Sequence, residues 1–233
     1  MYVVSDCTYP LCQKSQRFFG AHTIHYDLGE DSEAGVDSEG IASVAASLDW
    51  PKFRKYHTLI SHQPHNGIIN LHSRRGGMMT KFFRSFYKMI KERPKRIIFY
   101  RGGLMEGEME RICLQEIDAI KQACAYSYKE DQPSLTYVVV VPTASIGTEA
   151  DTAKYKFFCR HTTHKSTSRV VRYHVVHDDN NFLAGELQSL TLKLFTFRHR
   201  REYPKIDAVV PAYYAERAAF KAYRAECAAS KAS

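Results

Sequence analysis

Ile97–Tyr100 reads as an apolar strand that runs into Arg101-Gly102-Gly103 and then into a helix. In an α/β protein the C-terminal end of a strand is the usual seat of a catalytic or ligand-binding side chain. Two glycines in that seat admit two chemistries: a loop that cradles phosphate with its backbone, or an active site without its carboxylate. The first lacks the G-x4-G-K-[ST] pattern that a phosphate loop requires. Acids stand nearby at Glu106 and Glu108. A place in the first turn of a helix, where the dipole favours negative charge, accounts for both. The eleven histidines invite a metal. The pairs His161/His164 and His174/His177 are three residues apart, and on a strand or turn that spacing does not converge on one ion. They read as structural or surface residues.

The six cysteines give no framework. Cys113 and Cys124 fall in one helix, too far apart to be bridged. Cys7 and Cys12 do not form a C-x2-C pair, and no second pair completes a zinc site. Scattered reduced thiols are the pattern of an intracellular protein.

These residues need elements to hold them. Met1–Thr8 alternates and is expected to be a first strand, Ala21–Leu28 a second and Ile41–Leu48 a third, broken by Asp49-Trp50-Pro51. Residues 51–76 are polar and histidine-rich, with a short strand near Leu59-Ile60. Met78, Met79, Phe82, Phe83, Phe86 and Ile90 recur at helical spacing, with Lys81, Arg84, Lys88 and Lys91 between them, until Pro94 stops the helix. Met109, Ile112, Cys113, Ile117, Ile120 and Cys124 mark a second helix. Leu135–Val141 is continuously apolar, as in a strand buried on both faces. Tyr155–Cys159 and Val170–Val176 form an antiparallel pair, Asp178–Asn181 a turn rich in capping residues, and Leu183–Phe197 and Tyr213–Glu226 two further helices. The expectation is one α/β domain over residues 1–233, a sheet with helices on both sides.

Composition allows this: 44% of 233 residues are apolar, enough for a packed core. No apolar run is long enough to span a membrane, so no membrane partner is expected. The N-terminus has no basic region followed by an apolar stretch, so it is not a signal peptide. A strand from the first residue implies that upstream sequence is missing. The net charge of +8 fits a polyanionic partner. The acids concentrate in a solvated loop at about 29–40, and the bases in Arg160–Arg172 and Arg198–Lys205, recurring at Arg217, Lys221 and Arg224.

Five ordered stretches resemble the PIWI domain of eukaryotic Argonaute proteins. They are "SDCTYP", "IASVAASLDWPKFRKYHTLISHQPH", "RIIFYRGGLMEGEMERICLQEIDAIKQAC", "STSRVVRYHVVHDDNNFLAGELQSLT" and "VVPAYYAERAAFKAYRAE". The resemblance implies an RNase H-like fold, with a central mixed sheet flanked by helices. It also implies a site where a carboxylate-rich tetrad holds two divalent metals to cut RNA paired to a guide. Hard cations take oxygen ligands, and two of them activate water and stabilise the leaving oxygen.

Carried over position by position, the first ligand falls on Asp6. The second falls on Gly67, in "HNGIIN", where the chain is one residue short. The third falls on Gly102, where the family has "YRDG", and the fourth on Glu216, in "PAYYAE". Glycine has no side chain to bind a metal. Arg101-Gly102-Gly103 is thus read as a vacated site, with no metal required. A single Mg2+ or Mn2+ on Asp6 and Glu216, with Glu106 or Glu108 leaning in, is the remaining metal reading. The guide-backbone contacts fall on His161, Arg169, Arg201, Tyr213 and Lys221; lysine at 221 keeps the charge of the family's arginine but not its fork.

After Tyr137–Val141 the family continues with a basic segment, where this chain has "PTASIGTEAD". Counterparts of the MID, PAZ and N-terminal domains are missing, so the chain is expected to be truncated at both ends. The function expected is a slicer-deficient domain that binds guide or target RNA backbone in RNA silencing. A divergent metal-dependent endoribonuclease using Asp6 and Glu216 is the alternative. A third reading is a protein-interaction module or a fragment, with silencing-complex proteins as partners of the aromatic helix Met78–Glu92. The expected compartment is the cytoplasm, with the nucleus as the alternative.

Overall fold

In the computed structural model of the chain, the described residues are 16–25, 39–48, 55–64, 68–73, 77–102, 104, 107, 109–142, 153–162, 168–196 and 210–230. They form strands β1 (Gln16–His25), β2 (Glu39–Ser47), β3 (Tyr56–Pro64), β4 (Arg96–Arg101), β5 (Ser134–Pro142), β6 (Tyr155–Thr162) and β7 (Ser168–Asp178). Four helices accompany them: α1 (Met78–Ile90), α2 (Met109–Ser127), α3 (Ala184–Thr196) and α4 (Val210–Ser230). The strands make one mixed sheet in the order β3-β2-β1-β4-β5-β7-β6. β1, β4 and β5 run parallel at its centre; β2 and β3 extend it antiparallel on one side, β7 and β6 on the other.

Alternation along each strand splits the core. Ala42, Val44 and Ala46 of β2, Ile97 and Phe99 of β4, and Leu135, Tyr137 and Val139 of β5 pack with the apolar stripes of α1 and α2. On the opposite face Ile98, Tyr100, Val138 and Tyr173 pack with Leu187, Leu190 and Leu194 of α3. On that same face α4 crosses β1, β2 and β3, with Ile41 against Ala219. Small residues permit this crossing: Ala215 and Ala219 of the helix are fully buried, as are Ser43 and Ala45 beneath them.

Local chemistry sets the element ends. Gly77 precedes α1 where the chain folds back on residues 70–71, and Met79 N–H donates to the Leu71 carbonyl at 3.1 Å. A Cβ at Gly77 would meet that carbonyl oxygen at 2.3 Å, so only glycine fits. Lys91 closes the helix in the left-handed region (φ 61°), its N–H donating to the Tyr87 carbonyl at 2.9 Å. After β7, Asp178 organises the turn into α3. Its carboxylate accepts from Thr136 Oγ1 (2.7 Å), Asn180 N–H (3.2 Å) and Phe182 N–H (2.8 Å).

Among the described residues the expected elements are present, with two corrections. The strand expected over Ala21–Leu28 begins earlier, at Gln16, and it is this strand that lies beside β4. The strand expected over Met1–Thr8 lies outside the described residues, as does most of the acidic loop. The short strand expected near Leu59-Ile60 is the nine-residue edge strand β3. An edge strand faces water on one side, so polar residues such as His57, Ser61 and His62 are accommodated there.

Candidate active site at the ends of the central strands

β1 and β4 pair in parallel up to Ala21 opposite Arg101. The next step along each strand sets position 22 beside Gly102. Position 22 also pairs with Ser43 across the β1–β2 hairpin. Ser43 Oγ donates to the carbonyl of Ala215 on α4, next to Glu216. His22, Gly102, Ser43 and Glu216 therefore converge at one end of the sheet, beneath α4.

Asp6, the first ligand position that the resemblance implies, lies outside the described residues. The residue that pairing sets beside Gly102 is His22. A pair of hard cations needs several carboxylate oxygens. Among the described residues no group of three or more His, Cys, Asp or Glu could hold a metal ion. Gly67, Glu106 and Glu108 lie outside the described residues.

Beneath Gly102 is a buried ion pair. Arg101 and Glu116 are both fully buried, with Nε 3.0 Å from Oε2 and 3.2 Å from Oε1. Arg101 Nη1 also donates to the Gly102 carbonyl. Glu116 accepts two further bonds, from Tyr137 Oη at 2.6 Å and from Ile69 N–H at 3.1 Å. Burial first, and the Glu116 charge second, hold the Tyr137 phenol well above its ordinary pKa, so it stays a donor. The network ties the end of β4 to α2, β5 and the segment at Ile69, which follows the "HNG" stretch. It fixes the floor of the site without offering a side chain to it.

The expected backbone contacts are spread. His161 and Arg169 are cross-strand partners near the end of the β6–β7 hairpin. Their side chains are not among the described ones. Tyr213 lies in α4, its side chain likewise undescribed, and Lys221 is exposed farther along that helix. Arg201 lies outside the described residues. The structure thus joins two of the five contacts in one register pair and puts two on a single helix. Cys113, Cys124 and Cys159 are buried free thiols. No helix among the described residues is long and apolar enough to cross a membrane.

Comparison with known proteins bears on the family and the fold. The Piwi domain family model matches residues 2–145 and 148–225. Protein argonaute 12 of Oryza sativa subsp. japonica is 38% identical over 240 residues, 88% of this chain and 22% of that protein. Protein argonaute 10 of Arabidopsis thaliana is 36% identical, over 88% of this chain and 24% of that protein. The chain thus spans about a quarter of the length of these curated relatives. Among solved structures, Kluyveromyces polysporus Argonaute with a guide RNA superposes with a TM-score of 0.70 at 18% identity, covering 89% of this chain and 26% of that one. Drosophila Piwi superposes at 0.66 and 16% identity, covering 91% and 30%. The fold is that of the RNase H-like Argonaute PIWI domains, and the chain belongs to the Piwi domain family.

Proposed function

We propose that this chain binds the sugar–phosphate backbone of a guide or target RNA within RNA silencing and does not cut it. What supports this reading is glycine at two of the four ligand positions that the resemblance implies, Gly67 and Gly102. In-line cleavage by two metals needs several carboxylate oxygens, and glycine at positions 67 and 102 offers no side-chain oxygen to either cation. No metal is required by the reading, and a lone Mg2+ on Glu216 would lack its partners.

The binding half of the proposal draws on the His161–Arg169 register pair, on exposed Lys221, and on the basic composition. Arginine offers a planar fork to phosphate and lysine a point charge. Such contacts supply affinity without reading sequence, and each phosphate neutralised on a single strand adds ~0.7 to the salt slope.

The test is a salt-titrated binding assay with a 5′-phosphorylated small RNA, with and without Mn2+, followed on a gel. Binding that weakens with salt while the RNA stays intact supports the proposal. Mn2+-dependent fragments that Glu216→Ala abolishes would overturn its non-cutting half. Absence of binding at every salt concentration would overturn the other half, and leave a protein-interaction module.

A further inference from the structure

The exposed face of α1 plays no part in the site beneath α4. Lys81, Arg84, Lys88 and Lys91 are all exposed and recur at spacings of three and four, so they form one stripe. From Lys81 to Lys91 the stripe is ~15 Å long at 1.5 Å per residue. Between Lys81 and Arg96, seven basic residues stand against one acid, Glu92, in a chain of net charge +8, so the field is concentrated here rather than spread. Among the described residues no ion pair engages the four stripe side chains. Arg93 is turned aside, over the Tyr128 ring at 5.6 Å. Tyr87 lies among the stripe residues, 53% exposed.

We propose that this stripe is a second binding surface, for single-stranded RNA, on the opposite face of the sheet from α4. The opposition follows from β2: Ala42 and Val44 pack toward α1, while Ile41 and Ser43 face α4. Cations repeating along a helix neutralise successive phosphates. An exposed ring among them offers a stacking platform, the combination that holds single strands without sequence reading. A membrane is a poorer fit. The apolar face of α1 (Met78, Met79, Phe82, Phe83, Phe86) is buried in the core, so the helix has no apolar side to lay into lipid.

The inference does not rest on guide binding, and the test separates the two. The full chain is titrated with a fluorescent 5′-hydroxyl oligouridylate over a range of salt. Substituting all four stripe residues with glutamate (K81E/R84E/K88E/K91E) is expected to lower the salt slope by about 3, at ~0.7 per contact, and to weaken binding ~10^2- to 10^3-fold near ~0.1 M salt. The all-arginine variant K81R/K88R/K91R is expected to keep the slope, with thermal melts as the check that both variants fold. Tyr87→Ala weakens binding ~5- to 150-fold with the slope unchanged. Weaker binding of the 5′-phosphorylated small RNA by Lys221→Glu, with this slope intact, bears only on the function proposed above. A slope in the glutamate variant equal to that of the wild type overturns the inference. So does binding to phosphatidylserine vesicles without binding to the oligonucleotide.

Discussion

Replacing Glu116 by leucine removes the carboxylate that pairs with the fully buried Arg101 guanidinium. Arg101 then keeps its charge without that counter-ion, and the Ile69 N–H and the Tyr137 hydroxyl lose their acceptor. Breaking one side of a buried pair costs ~3–5 kcal/mol. An orphaned buried donor adds ~1–3 kcal/mol where it cannot find a new partner. Whole-domain stability is ~5–15 kcal/mol, so Glu116→Leu removes a large share of it. With an m-value of ~2–3 kcal/mol/M in urea, the lower figures alone shift the unfolding midpoint down by ~1–2.5 M. The double variant Arg101→Met/Glu116→Leu discards the buried charge altogether, and well-packed apolar replacements of such pairs are often close to neutral. It is expected to recover more than half of the loss, because only the two neutral donors stay unpaired. Urea melts of the two single variants and the double give the coupling energy directly. A loss below ~1 kcal/mol for Glu116→Leu, or a double variant no better than the single, would refute the account of Arg101 as an uncompensated charge.

Three further outcomes are expected. Gly77→Ala drives a methyl into the Leu71 carbonyl, displaces the start of α1, and costs ~1–3 kcal/mol in the same urea assay. Asp178→Ala frees three donors at once and lowers the midpoint by a similar amount, whereas Asp178→Asn, which keeps an acceptor oxygen, recovers part of it. Burial pushes the Cys113 and Cys124 thiols up to about 12 from 9.0, with the Glu116 charge adding to the shift at Cys113. Since the folded pKa exceeds the unfolded one, the stability involved is fully present below pH ~9 and is lost as pH rises toward ~12. Urea midpoints should therefore fall through that window, and less steeply in Cys124→Ala; the buried phenols of Tyr137 and Tyr173 act in the same direction.

The helix and strand types followed from short-range pattern. The period of the phenylalanines and methionines in α1 and the unbroken apolar run of β5 are local properties, set by which face each residue must bury. So was the vacancy at Gly102, because a glycine at the end of an apolar strand leaves no side chain wherever that strand is placed. The partner of that vacancy was not local. Which segment lies beside β4 depends on a parallel pairing between residues 16–21 and 96–101, and such pairing has no signature within either segment. Burial of Arg101 against Glu116 belongs to the same class: a lone arginine after a strand looks solvated until α2, β5 and the Ile69 segment close around it. The sequence by itself determined the α/β class, the spacing of its helices and the missing carboxylate at Gly102. Tertiary structure decided which residues meet at the ends of the central strands, because long-range register is set by packing of the whole sheet and not by any one stretch of chain.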